Sequence, residues 1–463
     1  MNKWIFAVLE SWKNTEGNVN STDQILDWIE NLNKSITVVI QESGISDSSF
    51  WFYDDYNGEI LNRKRSFFSI KGIRRFEDGA LVSEQPVILQ PEIGYLGILC
   101  KEIDGVLNFL MQAKIEPGNV NHVQLSPTIQ ATKSNFTRAH GGDLPTYFEL
   151  FENSKQYHVI YDQIQSEQAA RFYKKRNRNM ILEVEDEIEV YPNFKWMTLG
   201  QIKTLMGIDN LVNMDTRTVL SGIPLSTYRL TPEELKTVKN NFHDFGFYKS
   251  IFETDPADTI TKLYQPINNY KMFHNIHNTL IPLYQLVDWE VNEYGITCRK
   301  SANFMVRYYD ISISGREVQH WTQPLFKAIG AATFVLLLKD VGGVTKYLVS
   351  LRSEIGTFDK IEIGPSIQLE ANQYLNFKDA VKDVFETQSA NKAGIILDVV
   401  LSEEGGRFYH EQNRNVIMKI PEDALTELPE NYFWVDYSGL SDLMQVNNCL
   451  NIQLRNLLSL LPI

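Results

Sequence analysis

The chain has 463 residues, with 43% hydrophobic and 22% charged residues, which indicates a globular protein of two or three domains. Its net charge of −14 argues against sequence-independent nucleic-acid binding, which needs a basic surface. Cys100, Cys298 and Cys449 are far apart and odd in number, so they predict no disulfide framework or zinc site and favour a reduced, cytoplasmic compartment. The apolar stretch 4–9 is too short for a signal peptide, and no run approaches the length of a membrane span.

The amino-terminal segment, residues 1–48, is predicted to be helical. Thr22-Asp23-Gln24 is typical of a helix start, and Ile25 and Ile29 follow at helical spacing.

An internal repeat organises the remainder of the chain. The segment GVLNFLMQAKIEPGNVNHVQLSPTIQ starts at Gly105, and GVTKYLVSLRSEIGTFDKIEIGPSIQ starts at Gly343, so the offset is 238 residues (343 − 105 = 238). Further downstream Arg171 aligns with Arg407, at 236 (407 − 171 = 236). One register held over so many residues indicates two homologous domains.

We predict repeat 1 at residues 49–235, a helical insert or linker at 236–282, and repeat 2 at 283–463. Thr231-Pro232-Glu233-Glu234 looks like a helix start at the entrance to the insert.

Each repeat carries strands with one apolar and one polar face. Met111, Ala113 and Ile115 alternate with polar residues, among them Lys114 and Glu116. A half-buried sheet with its polar face in water is the simple interpretation. The abundance of Gln, Asn, Ser and Thr favours hydrogen bonding to a sugar or base instead. The predicted class is α/β (α+β), with mixed sheets flanked by helices.

The second repeat also resembles a decayed Nudix domain, with two strands followed by a helix. Active Nudix hydrolases resemble this order but hold metal with an Arg-Glu-x-x-Glu-Glu helix. At the matching positions this chain has Lys382, Asp383, Glu386 and Thr387. A divalent metal on phosphates needs several converging carboxylates, so metal-dependent hydrolysis is disfavoured and no metal site is predicted.

The run MQAKIEPGNVNHVQLSPTIQATKSNFTRAHGG, residues 111–142, closely resembles the signature of the NDP-hexose 2,3-dehydratase family. Segments 51–69, 90–99, 320–325 and 403–415 resemble it too, and the likeness covers nearly the whole chain. The resemblance implies tandem Nudix-like domains, a homodimer, no organic cofactor and no required metal.

The resemblance also implies the reaction and the partners. The substrate would be a dTDP-linked 4-keto-6-deoxyhexose, dTDP-4-keto-6-deoxyglucose, which loses the C3 hydrogen and the C2 hydroxyl. A separate 3-ketoreductase would then reduce the 3,4-diketo product. No hydride moves in the elimination, and the chain has no Gly-rich dinucleotide fingerprint. No nucleic acid or membrane is expected as a partner.

This sequence departs from the family pattern at two positions of the signature. Lys133 stands where the family has Arg, and Phe136 where it has Tyr, so no role is assigned to Phe136. Repeat 2 has Ile355-Gly356-Thr357 in place of the Pro-Gly-Asn turn, which favours repeat 1 as the catalytic repeat.

The chemistry needs a base at C3, donors at the C4 oxygen and an acid for the leaving hydroxyl. Glu116 is the candidate base, or Glu354 if repeat 2 is the site. Lys114 or Arg352 would stabilise the enolate. The candidate acids are His122, His140 and Tyr173. The alternatives are an ordinary ion pair for Lys114 with Glu116 and a structural histidine for His122.

A second group of residues is predicted to bind the nucleotide, the diphosphate and the sugar. The planar guanidinium group of arginine can donate paired hydrogen bonds to phosphate oxygens, and an aromatic ring can stack on thymine. The alternative for the Arg and Tyr residues shared by both repeats is that they brace the fold. The predicted binding residues are Gln112, Asn119, Asn121, Gln124, Ser126, Gln130, Thr132, Ser134, Asn135, Arg138, Arg171, Tyr173, Arg178, Trp321, Gln368, Arg407, Tyr409 and Arg414.

Two other functions are compatible with these residues. One is a Nudix-type hydrolase of sugar nucleotides, which would depend on magnesium. The other is a non-catalytic sugar-nucleotide-binding scaffold, which would bind ligand without turnover.

Overall fold

The computed structural model describes residues 3–137, 144–226, 230–315, 318–371 and 379–462. Its elements up to residue 226 are α1 (Lys3–Lys13), α2 (Thr22–Ser35), β1 (Val38–Ser43), β2 (Trp51–Asp54), β3 (Glu59–Asn62), β4 (Ser69–Glu77), β5 (Ala80–Leu89), β6 (Ile93–Ile103), β7 (Val106–Ile115), β8 (Val123–Ser126), β9 (Ile129–Ala131), α3 (Lys133–Phe136), α4 (Phe148–Glu152), β10 (His158–Ser166), β11 (Arg176–Glu183), β12 (Phe194–Thr198), α5 (Leu199–Met206) and α6 (Met214–Ser221).

The elements from residue 230 onwards largely repeat this order. They are α7 (Pro232–Lys239), α8 (Phe245–Phe252), α9 (Pro256–Phe273), β13 (Ile276–Ile281), β14 (Trp289–Asn292), β15 (Gly295–Cys298), β16 (Phe304–Ile313), β17 (His320–Ala328), β18 (Thr333–Val341), β19 (Val344–Arg352), β20 (Glu362–Pro365), β21 (Ile367–Leu369), α10 (Ala380–Ala390), β22 (Ile395–Ser402), β23 (Phe408–Tyr409), β24 (Gln412–Lys419), β25 (Tyr432–Val435), α11 (Tyr437–Met444) and α12 (Ile452–Ser459).

The described strands form four sheets, two large and two small. In repeat 1 the large sheet has the order β10-β11-β6-β7-β12, with β8 on β7 and β9 on β6. In repeat 2 the order is β22-β24-β18-β19-β20, with β21 on β18 and β25 on β19. The β6–β11 and β18–β24 pairs are parallel and their neighbours antiparallel, so both sheets are mixed. The predicted α/β class is confirmed; the Nudix-like character of each repeat remains a prediction.

The two small sheets exchange one strand between the repeats. Strand β1 pairs antiparallel with β16, where Ile40 lies opposite Ile311. Strand β13 pairs antiparallel with β4, where Leu280 lies opposite Ile73. The two exchanged strands begin 238 residues apart (276 − 38 = 238), which is the offset of the repeat. The structural equivalence therefore reaches back through β1 and β13 to α2 and α9.

This exchange corrects the prediction that segments 1–48 and 236–282 are helical. Both are helical over most of their length, but each ends in a strand. The β-branched runs at these ends favour strands, and each run finds its partner in the other repeat. Pairing between segments so far apart leaves no local pattern in the sequence, so it was not predicted.

The largest hydrophobic core lies between the repeats and joins them. Helices α6 and α12 pack against each other. Arg455 of α12 donates to the Thr218 hydroxyl of α6 at 2.7 Å, and both residues are buried. Within the described ranges, no helix has the length and apolar character needed to span a membrane.

Each repeat also sends one loop against a turn of the other repeat. We call residues 167–175 and 403–411 the crossover loops. They connect β10 to β11 in repeat 1 and β22 to β24 in repeat 2. They therefore start from equivalent places in the two large sheets.

Glycines make these contacts possible. The Gly118 amide donates to the Gly405 carbonyl at 2.7 Å, and the Gly356 amide donates to the Ala169 carbonyl at 2.9 Å. A Cβ on Gly118 would overlap the carbonyl oxygen of Phe408, on the crossover loop of repeat 2. The equivalent Gly356 faces a backbone carbonyl of the other crossover loop in the same way. The absence of a side chain allows the backbones to touch.

We expect Gly118→Ala to destabilise the fold strongly, because a backbone carbonyl cannot move aside as a flexible side chain can. The expected loss in the free energy of unfolding is about 3 kcal/mol or more. Gly79→Ala is the control: it adds a methyl group in open space at φ +82°, so only backbone strain of about 1–2 kcal/mol is expected. Urea unfolding measures both, and equal losses would contradict the close-approach account.

Candidate active site

Two pockets lie at equivalent places in the two repeats. The first-repeat pocket has a volume of about 470 Å³ and is lined by Lys114, Glu116 and Gln130. The second-repeat pocket has a volume of about 910 Å³ and is lined by the equivalent residues Arg352, Glu354 and Gln368. Volumes of this size suit a small-molecule ligand.

The first-repeat pocket contains an ion pair on β7. Lys114 and Glu116 point to the same face because side chains alternate along a strand. Lys114 Nζ lies 2.7 Å from Glu116 Oε1 and 3.3 Å from the Gln130 carbonyl oxygen. Their side chains are 20% and 13% exposed, so both face the pocket rather than bulk water. A paired carboxylate and ammonium are thus presented to a ligand.

The crossover loop of repeat 2 completes this pocket by supplying Glu404 and Arg407. Arg407 Nη2 donates to Gln90 Oε1 at 3.0 Å, and its guanidinium carbon lies 4.1 Å from the centre of the Phe67 ring. The ion pairs formed by the described residues do not include Arg407, and its Nε has no hydrogen-bond partner among them. This buried cation is therefore available to an anionic ligand.

The equivalent arginine in the second-repeat pocket is already neutralised. Arg171, from the crossover loop of repeat 1, lies 3.1 Å from Glu370 Oε2. Asn303 donates to the same oxygen at 2.5 Å. The residue equivalent to Glu370 in repeat 1 is Thr132 (370 − 238 = 132), which has no charge to pair with Arg407. The two pockets thus differ in whether a carboxylate at this position pairs with the crossover-loop arginine.

Several titratable groups in the first-repeat pocket are shifted by burial. Burial raises the pKa of Glu404 to about 7, against the opposing influence of Arg407. Burial and the neighbouring Glu167 and Glu404 carboxyls raise the pKa of Asp215 well above its ordinary value. Burial also lowers the pKa of Lys175 to about 8. Shifts of this kind are characteristic of sites that transfer protons.

The second-repeat pocket has its own shifted carboxyl group. Glu354 accepts a hydrogen bond from Gln368 Nε2 at 3.0 Å. Burial and the nearby carboxyls of Glu362 and Glu370 raise the pKa of Glu354 to about 8, although Arg171 and Arg352 oppose this.

The predicted site residues fall into four groups. Lining the first-repeat pocket are Gln112, Lys114, Glu116, Gln130, Thr132, Asn135 and Arg407. Lining the second-repeat pocket are Arg171, Arg352, Glu354 and Gln368. Outside the lining of both pockets are Asn119, Asn121, His122, Gln124, Ser126, Tyr173, Arg178, Trp321, Tyr409 and Arg414. Arg138, His140 and the side chain of Ser134 lie outside the described residues.

The polar residues outside the pockets form hydrogen bonds within the protein, one of them between the two repeats. Gln124 Nε2 donates to the Ser402 hydroxyl at 2.7 Å, just before the crossover loop of repeat 2. Asn119 Nδ2 donates to the His122 carbonyl at 2.8 Å, and His122 itself is exposed with φ 62°. Ser126 accepts from Asn213 Nδ2 at 2.9 Å. These side chains were predicted to bind ligand, but in the structure they form hydrogen bonds to other residues of the protein.

The aromatic and arginine residues outside the pockets are likewise bonded within the protein. Arg178 and Arg414 make bidentate ion pairs with acids sixteen residues earlier, Asp162 and Asp398, at 2.5–2.9 Å. The Tyr409 ring stacks on Tyr309. This matches the alternative that these shared residues brace the fold.

Tyr173 and Trp321 are also engaged by the protein. Tyr173 packs in a small core cluster with Ile73 and Ile355, and Trp321 Nε1 donates to Gln323 at 3.2 Å. Asn121 Nδ2 donates to the Asn210 carbonyl at 2.9 Å.

Four ionisable residues that line the first-repeat pocket were not predicted: Glu167, Lys175, Asp215 and Glu404. Two of them left a signal in the alignment of the repeats. Asp215 aligns with Gln453 (453 − 215 = 238), and Glu404 aligns with Gln168 (404 − 168 = 236). At both positions an acid in one repeat aligns with an amide in the other. The two side chains have similar shapes, but only the acid can donate or accept a proton in catalysis.

Helix α10, compared above with the metal-binding helix of Nudix hydrolases, carries an ion pair, with Lys382 Nζ lying 3.6 Å from Glu386 Oε1. Among the residues of the described ranges, no three His, Cys, Asp or Glu side chains are grouped as a metal ion requires.

Comparison with known families defines the class. Residues 22–223 and 260–461 each match the family described as NDP-hexose 2,3-dehydratase. The two matches start 238 residues apart (260 − 22 = 238), in register with the exchanged strands. The chain belongs to the NDP-hexose 2,3-dehydratase family, which confirms the predicted resemblance and the tandem repeat.

Three similar proteins are named as 2,3-dehydratases. The chain is 38% identical, over 89% of its length and 85% of the relative, to a dTDP-4-dehydro-6-deoxy-alpha-D-glucopyranose 2,3-dehydratase from Saccharopolyspora spinosa. It is 34% identical to proteins of the same name from Amycolatopsis orientalis (96% of this chain, 91% of the relative) and Streptomyces violaceoruber (91% and 92%).

The raised pKa of Glu354 leads to a prediction about stability and pH. The folded protein holds this proton up to about pH 8, whereas the unfolded chain releases it near the ordinary value of 4.5. The stabilising contribution is therefore complete below pH 4.5 and is lost as pH rises to about 8. We expect the free energy of unfolding to fall less steeply over this range in Glu354→Gln than in the unmodified protein. Urea unfolding at several pH values measures it.

Glu233→Gln, which changes an exposed acid at the start of α7, is the control and should keep the original slope. A Glu354→Gln slope identical to that of the control would show that Glu354 is ionised in the folded protein.

Proposed function

We propose that the chain is a hydro-lyase that removes water from dTDP-4-dehydro-6-deoxy-D-glucose, taking the hydrogen from C3 and the hydroxyl from C2. The names of the three relatives support the substrate. The observation that carries the proposal is the first-repeat pocket, where the Lys114–Glu116 pair lines one cavity with Arg407, which belongs to none of the ion pairs formed by the described residues. A cation for the diphosphate and a carboxylate for C3 are the groups this reaction needs.

Glu116 acts as the base. The ketone at C4 acidifies the C3 hydrogen, and a carboxylate within hydrogen-bond reach removes it, for a contribution of about 10²–10⁴-fold. Lys114, 2.7 Å from that carboxylate, stabilises the enolate oxygen as charge develops on it. The folded protein already holds the Lys114 ammonium group in the pocket. No reorganisation of the site is therefore needed when charge develops on the enolate oxygen.

Arg407 binds the diphosphate. Its guanidinium is held between Gln90 and the Phe67 ring, so its position is fixed before ligand arrives. Thr132 and Asn135, at the start of α3, add polar groups to the lining of the same pocket. A fixed planar fork loses little entropy when it binds phosphate oxygens.

The elimination moves protons and no hydride, and so the proposal includes no organic cofactor and no metal. The product enol tautomerises to a 3,4-diketo sugar, which a 3-ketoreductase would reduce. We further propose a cytoplasmic homodimer. Its size in solution is testable by light scattering.

The reaction is tested with purified protein, the 4-keto substrate, a 3-ketoreductase and NADPH, with EDTA present. We expect mass spectrometry to show the loss of one water followed by the gain of two hydrogens, because neither the base nor the cation in the pocket is a metal. Release of dTMP would support a Nudix-type hydrolase, and binding without turnover would support a scaffold. Either result would refute the proposal.

The catalytic repeat is identified by two matched substitutions. We expect Glu116→Gln to lower kcat by about 10²-fold or more, since an amide cannot accept the C3 proton. The equivalent Glu354→Gln changes the second-repeat pocket and should keep most of the activity. The opposite order of effects would move the reaction to repeat 2.

Arg407 and Arg171 occupy equivalent positions but differ in ion pairing, so their substitutions form a second matched pair. Arg407→Gln should weaken dTDP binding by about 10–100-fold, because a charge-assisted bond contributes about 1.5–3 kcal/mol. Arg171→Gln should weaken this binding much less, since Glu370 already neutralises Arg171. Isothermal titration calorimetry measures both affinities. Equal losses would show that Glu370 does not close the second-repeat pocket to anions.

A further inference from the structure

We propose that Asp215 is the acid that protonates the C2 hydroxyl as it leaves the sugar. This inference rests on the proposed dehydration in the first-repeat pocket and assigns the proton donor of that reaction. The histidines and tyrosine expected to supply this proton lie outside the pocket lining or outside the described residues, whereas Asp215 lines the pocket together with Lys114 and Glu116.

The position of Asp215 is that of a side chain free for chemistry. It occupies the first turn of α6 and is 2% exposed. Its Oδ1 atom is buried and has no hydrogen-bond partner within the described ranges. The helix does not need this carboxyl as a cap, because Asn213 Oδ1 already accepts from the Thr216 amide at 2.8 Å. A buried oxygen without a partner in the folded chain is explained if a ligand supplies the partner.

The surroundings of Asp215 favour its protonated form. Burial and the carboxyls of Glu167, Glu404 and Glu116 raise its pKa well above the ordinary value, against the opposing charges of Lys114, Arg217 and Arg455. A neutral carboxylic acid has a proton to donate, as the leaving hydroxyl requires.

Glu404 and Glu167 are the other carboxyls of this pocket whose pKa values are raised by burial. Arg407 is the largest charged influence on Glu404, and Arg407 is the proposed diphosphate ligand. The Lys114–Glu116 pair acts on both Asp215 and Glu404. Asp215 differs from the other two carboxyls in having a buried oxygen, Oδ1, without a hydrogen-bond partner among the described residues, whereas both oxygens of Glu167 accept hydrogen bonds.

The second repeat provides a comparison within the chain. The residue equivalent to Asp215 is Gln453, which is 4% exposed in the first turn of α12. An amide fits this position but cannot donate a proton to a leaving group. The substitution of an amide accompanies the neutralised arginine in the same repeat. Repeat 2 thus has an amide in place of the acid and an arginine already paired with a carboxylate, where the elimination needs a proton donor and a cation for the diphosphate.

The step is balanced in atoms and charge. Glu116 takes the C3 proton, and the electron pair of that bond forms the enolate at C4. The pair then returns to form the C2–C3 double bond as the C2–O bond breaks, and the hydroxyl leaves with the Asp215 proton as water. Tautomerisation removes one proton from the C3 hydroxyl and delivers one to C2, which restores both carboxyl groups.

The test separates removal of the C3 proton from loss of the hydroxyl. The 4-keto substrate is incubated in D₂O with the full-length protein. Nuclear magnetic resonance follows deuterium exchange at C3, and mass spectrometry follows dehydration. We expect Asp215→Asn to lower dehydration by about 10²-fold or more while exchange at C3 stays within about threefold, because only the second step uses the acid. Glu116→Gln should lower both.

Controls exclude a merely structural effect. Affinity for dTDP should be unchanged in Asp215→Asn, and Gln453→Asn, at the equivalent position of α12, should leave both rates unchanged. Asp215→Glu should recover part of the dehydration, because it restores an acid. If Asp215→Asn does not bind dTDP, Asp215→Gln replaces it, because glutamine occupies the equivalent position in repeat 2. Its rates of C3 exchange and of dehydration are then compared in the same way.

Two results would overturn the inference. One is near-normal dehydration by the folded Asp215→Asn protein. The other is loss of exchange and dehydration together while dTDP still binds, which would place Asp215 before the first step. A wild-type protein that neither exchanges nor dehydrates would overturn the proposed function and this inference together.

Discussion

The backbone contact between each glycine turn and the crossover loop of the other repeat is the constraint on which the site depends. Gly118 and Gly356 lie against carbonyl groups at distances that no side chain permits. These contacts bring Arg407 into the first-repeat pocket and Arg171 into the second. Neither pocket is complete within one repeat. The duplication is therefore required for the site, and a single repeat would expose a pocket without its arginine.

The exchange makes two similar pockets, and a few substitutions make them chemically different. Glu370 pairs with Arg171, whereas Thr132 at the equivalent position offers Arg407 no such partner. Asp215 has an amide as its equivalent in repeat 2. Each change keeps the shape of the fold, because polar side chains replace one another, yet alters charge or the ability to donate a proton. One architecture thus supports two pockets of similar shape and different charge, and we propose the first as the reactive one.

Sequence reasoning predicted the features that local patterns encode. The repeat offset revealed the duplication, and strand alternation placed Lys114 and Glu116 on one face. The strand and loop exchanges were missed, because pairing between distant segments has no local period. Gln124 and Asn119 were predicted to bind ligand but bond the protein itself. Polar groups that join two repeats have the same composition as polar groups that bind a sugar. Asp215 was missed because one acid in a helix carries no motif.

The central claim is that the sugar nucleotide reacts in the first-repeat pocket, completed by the loop of repeat 2. A crystal structure with a bound dTDP-hexose that lacks the 4-ketone, and so cannot react, tests it most directly. The account predicts the diphosphate on Arg407 and the sugar C3 within hydrogen-bond reach of Glu116. A sugar ring bound only beside Glu354, with the Arg171–Glu370 pair broken, would contradict it.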